Sequence, residues 1–357
     1  MTTQTFDTTK AEAFAGRMFE IFNSAALSLM MSIGHRTQLF DTMAELPPST
    51  SQQVAAAAGL NERYVREWLG AMVTGGFVTY NPLTQTYVLP IEYAAFLTRS
   101  ATPNNLALVA QYIPVLASVE EQVIECFYKG GGVPYSEFQR FHEVMAEDSG
   151  QSTVTALFDQ ILPLVPGLTE ALEQGIDVLD LGCGSGRALS TLAANFPKSR
   201  FTGYDFSEVT IATANHEARS QNLSNIRFQV QDAATLNEHD RYDLITTFDA
   251  IHDQARPDIV LRNIYQALRS DGVYLMQDIH ASSQVEGNLE HPIAPWLYTI
   301  SCMHCMTVSL AYGGMGLGTV WGNEQALKML AEAGFKRVEL KQVPQDFLND
   351  YYITYKQ

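Results

Sequence analysis

Cysteine is scarce in this sequence, with four in 357 residues. That excludes a disulfide framework and points to a reducing compartment, the cytoplasm. Long apolar runs are missing too. None reaches the roughly 20 residues that a membrane-spanning helix needs. The start, Met1-Thr2-Thr3-Gln4-Thr5, is polar and lacks the pattern of a signal peptide. Positive charge is in short supply: 22 Lys and Arg stand against 39 Asp and Glu, a net charge of −17. Such a balance gives no electrostatic grip on nucleic acid or on an anionic membrane. Two nucleotide-binding patterns also fail. No Gly-Lys-Ser/Thr follows a glycine loop, and G-x-G-x-x-G breaks at Arg187.

What the chain does have is 46% hydrophobic and 17% charged residues, enough for globular cores and two domains. Its most informative stretch runs from Val178 to Gly186. Ile176–Leu181 is an apolar run of the kind that forms a buried parallel strand. Asp180, Gly182, Gly184 and Gly186 then spell D-x-G-x-G-x-G, and Arg187 to Leu192 reads as a helix. A strand that enters a helix through glycines leaves bare backbone against which a nucleoside can lie.

Three more strands end in candidate ligand-binding residues. Arg200–Asp205 ends in an acid 23 positions after Gly182, placed to accept hydrogen bonds from ribose hydroxyls. Phe206 follows, and it reads either as an adenine-facing ring or as core. Ile226–Gln231 leads to Asp232 and Ala233, where a carboxylate or backbone group can meet the adenine amino group. Tyr242–Phe248 leads to Asp249-Ala250-Ile251-His252-Asp253. A fifth strand, Val273–Asp278, completes the alternation with helices Arg187–Asn195, Glu208–Gln221 and Arg256–Arg269. Helix Asn323–Ala333 and strands Phe335–Leu340 and Tyr351–Tyr355 close the chain. Alternation of this kind demands a mostly parallel sheet with helices on both faces, its ligand at the carboxyl ends of the strands.

Residues 1–100 read as a mainly helical winged helix. Thr50 and Asn61 begin two short helices closed by Gly59 and by Gly75-Gly76, and Phe77–Tyr80 and Tyr87–Leu89 form the wing. This region holds six basic and eight acidic residues. A duplex-reading face should be clearly basic, so the fold reads as a dimerisation unit. A metabolite-sensing transcriptional regulator is the competing reading. Residues 101–170 read as a helical linker and cap, with Phe141, His142 and Met145 over the ligand cleft or in the core, and residues 171–357 as the catalytic domain.

The four ordered strand ends resemble the class I S-adenosylmethionine-dependent methyltransferases. Phe141–Ala146, Phe248–Asp253, His304–Ala311 and Gly313–Gly318 are more closely similar to a bacterial family, with mycobacterial examples, that joins a winged-helix domain to a methyltransferase domain. The resemblance implies an α/β fold: a Rossmann-like seven-stranded sheet whose final strand inserts antiparallel. It also implies S-adenosyl-L-methionine as cofactor, with Asp180, Gly182, Gly184, Gly186, Asp205, Phe206, Asp232, Ala233, Phe248 and Asp249 around it, and a homodimer.

Methyl transfer from a sulfonium needs the acceptor aligned and, for a hydroxyl, a base. His252 is the candidate, with Asp253 beside it; the pair resembles the His-Asp of plant-type small-molecule O-methyltransferases. Its alternatives are a helix cap or a pocket wall. The acceptor is expected to be a small molecule offering a hydroxyl or carboxyl oxygen. A thiol or amine, which can do without a strong base, is the alternative. Asp278 and His280 are expected near the acceptor, or in a solvated loop. The 281–321 insertion, with Trp296, Tyr298, Cys302 and His304, is expected to overhang it. Cys302 and Cys305 share a helical face, but a structural zinc needs four ligands and the other cysteines lie elsewhere, so no metal is expected.

Overall fold

The computed structural model of the protein describes residues 6–343 and 346–357. The polar start Met1–Thr5 lies outside the described residues. The chain divides into two compact units, Met1–Pro114 and Val115–Gln357.

In the first unit, α1 spans Thr8–Arg36, α2 Leu39–Glu45, α3 Ser51–Ala58 and α4 Glu62–Thr74. Thr50 and Gln53 form a reciprocal capping box at the start of α3, and Gly59 ends it in the left-handed region at φ +66°. The Asn61 side chain accepts the Arg63 N–H at 3.0 Å and caps α4. Val65, Trp68, Leu69 and Met72 recur at helical spacing and are buried. Trp68 meets Phe40 edge-on at 5.2 Å, and its Nε1 donates to the Met30 carbonyl at 2.9 Å. Burial of such side chains contributes about 1.5–3 kcal/mol each. The wing strands are β1, Thr79–Asn81, and β2, Thr86–Val88, each shifted from the expected positions. Phe77 and Val78 instead bond the Met72 carbonyl as α4 closes. On α4, Arg63 pairs with Glu67 and Arg66 with Glu62, so its cations are spent within the helix.

The second unit is built on a seven-stranded sheet in the order β5-β4-β3-β6-β7-β9-β8. β3 is Asp177–Leu181, β4 Arg200–Asp205, β5 Ile226–Val230, β6 Tyr242–Phe248, β7 Leu268–Ile279, β8 Val338–Val343 and β9 Asp346–Tyr355. All neighbours are parallel except β9, which runs antiparallel to both β7 and β8. Strand residues alternate between two cores. Leu179, Ile245, Met276 and Tyr352 face helices Pro257–Ala267 and Gly322–Ala333. Val178, Leu244, Leu275 and Tyr351 face helices Leu168–Gln174, Arg187–Asn195 and Glu208–Ser220. The period of two in a strand makes one sequence serve both layers.

Several boundaries differ from expectation; the final strand, expected from Tyr351, begins at Asp346. The helix expected over Arg256–Arg269 ends at Ala267, and β7 begins at Leu268. Arg269 leaves the helix to pair with Asp243 at 2.5 Å and Asp177 at 2.8 Å. The strand expected from Phe335 begins at Val338. Phe335 is a buried plug instead, its ring 5.1 Å from Tyr265 and 5.6 Å from Tyr274.

Candidate active site

Strand order reverses between β3 and β6, and a crevice opens there at the carboxyl ends of the strands. It is a cavity of about 620 Å³, within the usual range for a small-molecule site. Its floor is the glycine turn after β3. Gly182 sits at φ +72°, where a Cβ would come within 2.5 Å of Ala250 Cβ. Gly186, also at φ +72°, lies behind the wall, where a Cβ would strike the Phe228 ring at 2.4 Å. Gly184 differs: at φ +53° its Cβ position is open, with nothing within 4 Å, so a ligand can reach bare backbone.

Carboxylates ring this floor. Asp205 Oδ2 accepts the Gly184 N–H at 2.9 Å, while its Oδ1 accepts the Ser207 N–H at 2.9 Å. Asp180 Oδ1 accepts the Thr246 hydroxyl at 2.8 Å. Burial drives the Asp180 carboxyl up to about 7, with Asp205 adding to the rise and the Thr246 hydrogen bond opposing it. Asp232 Oδ1 accepts the Ala234 N–H at 2.8 Å. Asp249 Oδ2 accepts from Gln277 Nε2 at 2.9 Å. Phe206, Ala233 and Phe248 complete this side of the wall. A cationic nucleoside suits these groups: a glycine backbone open at Gly184, acceptor carboxylates for hydroxyls, and net negative charge.

The other side carries His142, Met145 and Asp253 together with Tyr135, Phe141, Val308 and Tyr312. His252 stands just behind this wall and is 4% exposed. Its Nδ1 lies 2.7 Å from Asp278 Oδ1 and its Nε2 3.2 Å from Asp253 Oδ1. Burial alone would lower the imidazole pKa, but Asp278 and Asp253 outweigh it and hold the ring well above its usual value. The His252 charge in turn overrides burial at Asp253, bringing that carboxyl down to about 2. Asp278 Oδ1 also accepts the Ile279 N–H at 2.9 Å and Trp321 Nε1–H at 3.0 Å.

Several residues expected at the acceptor stand away from the cavity wall. Asp278 is fully buried behind His252. His280 turns to Asp350 at 3.0 Å. Tyr298 Oη accepts from Asn288 at 3.1 Å, and Trp296 and Cys302 are half-buried in the insertion. His304 is buried, stacked on Phe141 at 3.6 Å, and burial brings its pKa down to about 4. Donor atoms of His252, Asp253 and Cys305 lie within 4.8 Å of one another. They are already engaged, His252 with Asp253 and Cys305 with the Thr319 hydroxyl at 3.0 Å.

Gln277, Thr153 and Trp321 escaped the sequence reading. Each works through a contact that spans from 28 to 124 positions in the chain, where no spacing rule applies. The glycines of 313–318 close the segment that follows the insertion's helices. Gly314 has its reason in packing: a Cβ there would lie 2.5 Å from both Ala255 Cα and Ser309 Oγ. Ser309 Oγ donates to the Gln254 carbonyl at 2.9 Å and accepts the Gly316 N–H at 3.1 Å, bracing the loop after β6.

Comparison with known proteins agrees with this geometry. Residues 172–334 match the methyltransferase domain family, and residues 25–99 match the Rv2258c-like winged HTH domain. Malonyl-[acyl-carrier protein] O-methyltransferase of Bacillus cereus is 37% identical over 120 residues, 30% of this chain and 42% of that protein. Fatty-acid O-methyltransferase of Mycolicibacterium smegmatis is 31% identical over 106 residues, 29% of this chain and 38% of that protein. The chain thus spans less than half the length of these relatives. Among solved structures, mitomycin 7-O-methyltransferase MmcR superimposes with a TM-score of 0.71 at 17% identity, over 98% of this chain and 100% of that one. Human N-acetylserotonin methyltransferase, solved with SAM, gives 0.69 at 17% identity over 100% and 99%. At these identities the two structures speak for the fold. Residues 172–334 are thus a methyltransferase domain, preceded in the chain by a winged helix-turn-helix domain of the Rv2258c-like type.

Proposed function

We propose that this protein uses S-adenosyl-L-methionine to methylate a hydroxyl or carboxyl oxygen of a small molecule. One observation carries the reading: the bare Gly184 backbone and the carboxylates Asp180, Asp205, Asp232 and Asp249 converge on one cavity. Asp205 is suited to the ribose hydroxyls, Asp232 and Ala233 to the adenine edge, and Phe206 to the adenine face. When bound, the cofactor supplies an activated methyl group and a neutral thioether leaving group.

The chain's own part is to hold the acceptor in line and to take its proton. His252 is the proposed base. Its Nδ1 is committed to Asp278, so Nε2 is the nitrogen that takes the acceptor's proton, once the acceptor displaces the Asp253 contact and the ring has given up the Nε2 proton that this contact favours. The high proton affinity of His252 supports a second reading, an acceptor such as a thiol that ionises with little help.

Dimerisation belongs to the same proposal. Along α1, Phe14, Phe19 and Phe22 are 61%, 70% and 60% exposed, an apolar row that calls for a partner such as a second copy. No helix among the described residues is long and apolar enough to cross a membrane. The four free thiols suit the cytoplasm.

Titration calorimetry with S-adenosylmethionine tests the core of this reading, followed by transfer of labelled methyl to a panel of phenols, carboxylates, thiols and amines. Failure to bind the cofactor would refute it.

A further inference from the structure

Asp249 is the odd carboxylate on the cavity wall. It sits at φ +50°, in the left-handed region that residues other than glycine seldom occupy. The strain is held from both sides: the Asp249 N–H donates to the Gln277 carbonyl at 3.1 Å, and Gln277 Nε2 donates to Asp249 Oδ2 at 2.9 Å. Gln277 is itself buried and lies 3.5 Å from the Thr153 hydroxyl. Asp249 Oδ1 is different. It is shielded from water and has no hydrogen-bond partner. Among the described carboxylates of this wall, Asp180, Asp205 and Asp232 are held by donors and Asp253 is paired with His252. Asp249 alone keeps a shielded oxygen with neither.

A carboxylate so placed is costly to ionise. The groups that face it make this worse or only partly relieve it. Asp278 on β7 and Asp346 on β9 are like charges, Tyr351 on β9 is neutral, and His252 is the opposing cation among the described residues. Burial first, then Asp278, pushes the Asp249 carboxyl up to about 8. A strained backbone that holds an unsatisfied acceptor within the wall of a ligand cavity is a device for a ligand to complete.

We propose that Asp249 reads the charge of the cofactor: neutral in the ligand-free pocket, it releases its proton to solvent and meets a cationic centre, the sulfonium or the α-ammonium, as a carboxylate. The inference rests on the S-adenosylmethionine reading and adds a proton-coupled step to it. Binding then releases a proton, so cofactor affinity rises with pH up to the point where Asp249 is already ionised.

Calorimetry at pH 7 in two buffers of different ionisation enthalpy measures the released proton directly, without a methyl acceptor. Wild type is expected to release about one proton per site. Asp249→Asn is expected to lose most of that release and to bind S-adenosylmethionine at least about tenfold more weakly, a loss of about 1.4 kcal/mol. S-adenosylhomocysteine, which keeps the ammonium and lacks the sulfonium, separates the two cations. A loss confined to S-adenosylmethionine places Asp249 at the sulfonium, and an equal loss places it at the ammonium. Asp180→Asn, which removes the other carboxyl of raised pKa, is expected to keep most of the release. Binding without proton release, or an unchanged release in Asp249→Asn, overturns the proposal. A wild type that binds neither compound would refute the cofactor reading instead. Circular dichroism confirms that each variant is folded.

Discussion

Asp278 Oδ1 stands 2.7 Å from His252 Nδ1, and both groups are buried behind the wall of the cavity. The contact fixes which imidazole nitrogen is free to act and orients the ring toward Asp253. It also sets the charge of the site, since Asp278 and Asp253 together offset the desolvation of a buried imidazolium.

His252→Ala is expected to lower methyl transfer to an oxygen acceptor by about 10²–10⁴-fold, the usual range for general acid–base catalysis. Cofactor affinity should change far less, because the glycine turn with Asp180, Asp205 and Asp232 is left in place. Single-turnover transfer alongside calorimetry checks both. Undiminished turnover removes His252 from the chemistry and favours the thiol or amine reading.

Gly184→Ala and Gly186→Ala should part company. At Gly184 the added methyl points into open space, so the stability cost is that of a left-handed alanine, about 1–2 kcal/mol, while cofactor binding suffers most. At Gly186 the methyl meets the Phe228 ring, and the fold suffers as well. Thermal melting with and without S-adenosylmethionine separates them. Equal melting losses in the two variants would contradict this account of the turn.

Stability of the ligand-free protein should fall as pH rises from about 4 to about 8. Asp180 and Asp249 have folded pKa values of about 7 and about 8, above the unfolded aspartate value of about 3.9. Below about 4 both states hold these protons. Above that the unfolded chain ionises first, and the folded state loses ground until its own carboxyls ionise. Asp249→Asn removes one such group, so its melting temperature should vary less between pH 5 and 8.5 than that of the wild type, by several degrees. Parallel curves would count against a buried, protonated Asp249.

His304→Phe is expected to raise the melting temperature by a few degrees. Neither ring nitrogen of His304 has a hydrogen bond, and the ring stacks on Phe141 beside Tyr135 and Phe138. Removing an unsatisfied buried polar group is worth about 1–3 kcal/mol. A lower melting temperature would mean that His304 holds a contact that matters to this corner.

Phe19→Ser together with Phe22→Ser is expected to convert a dimer into monomers. Both rings lie exposed on α1. Light scattering after size exclusion reports the mass, and an unchanged mass would place any dimer interface elsewhere.

Much of this was readable along the chain. Asp180, Gly182 and Gly184, with Asp205, Asp232 and Asp249 at later strand ends, all reach the cavity. Strand, glycine turn and acid recur at short spacings that the backbone itself enforces, because each parallel strand must deliver its last residue to the same edge. The insertion was less legible. Trp296, Tyr298, Cys302 and His304 lie in an aromatic- and sulfur-rich stretch that reads as a pocket, yet composition carries no direction. The π-helical turn Ser301–Cys305 buries His304 and leaves Cys302 half-buried, away from the wall.

Local order in the chain therefore accounts for the sheet, the glycine-and-carboxylate edge of the cavity and the nearness of His252 to Asp253. The partners of His252 and Asp249 came from elsewhere. Asp278 arrives from 26 residues away, Trp321 from 43 beyond that, and Gln277 joins Thr153 across 124. These meetings depend on the pairing register of β6 with β7 and on how the chain after β7 packs back over it. Spacing rules act over a helical turn or along a strand, whereas the field around a buried proton is summed over every charge that three-dimensional packing brings near.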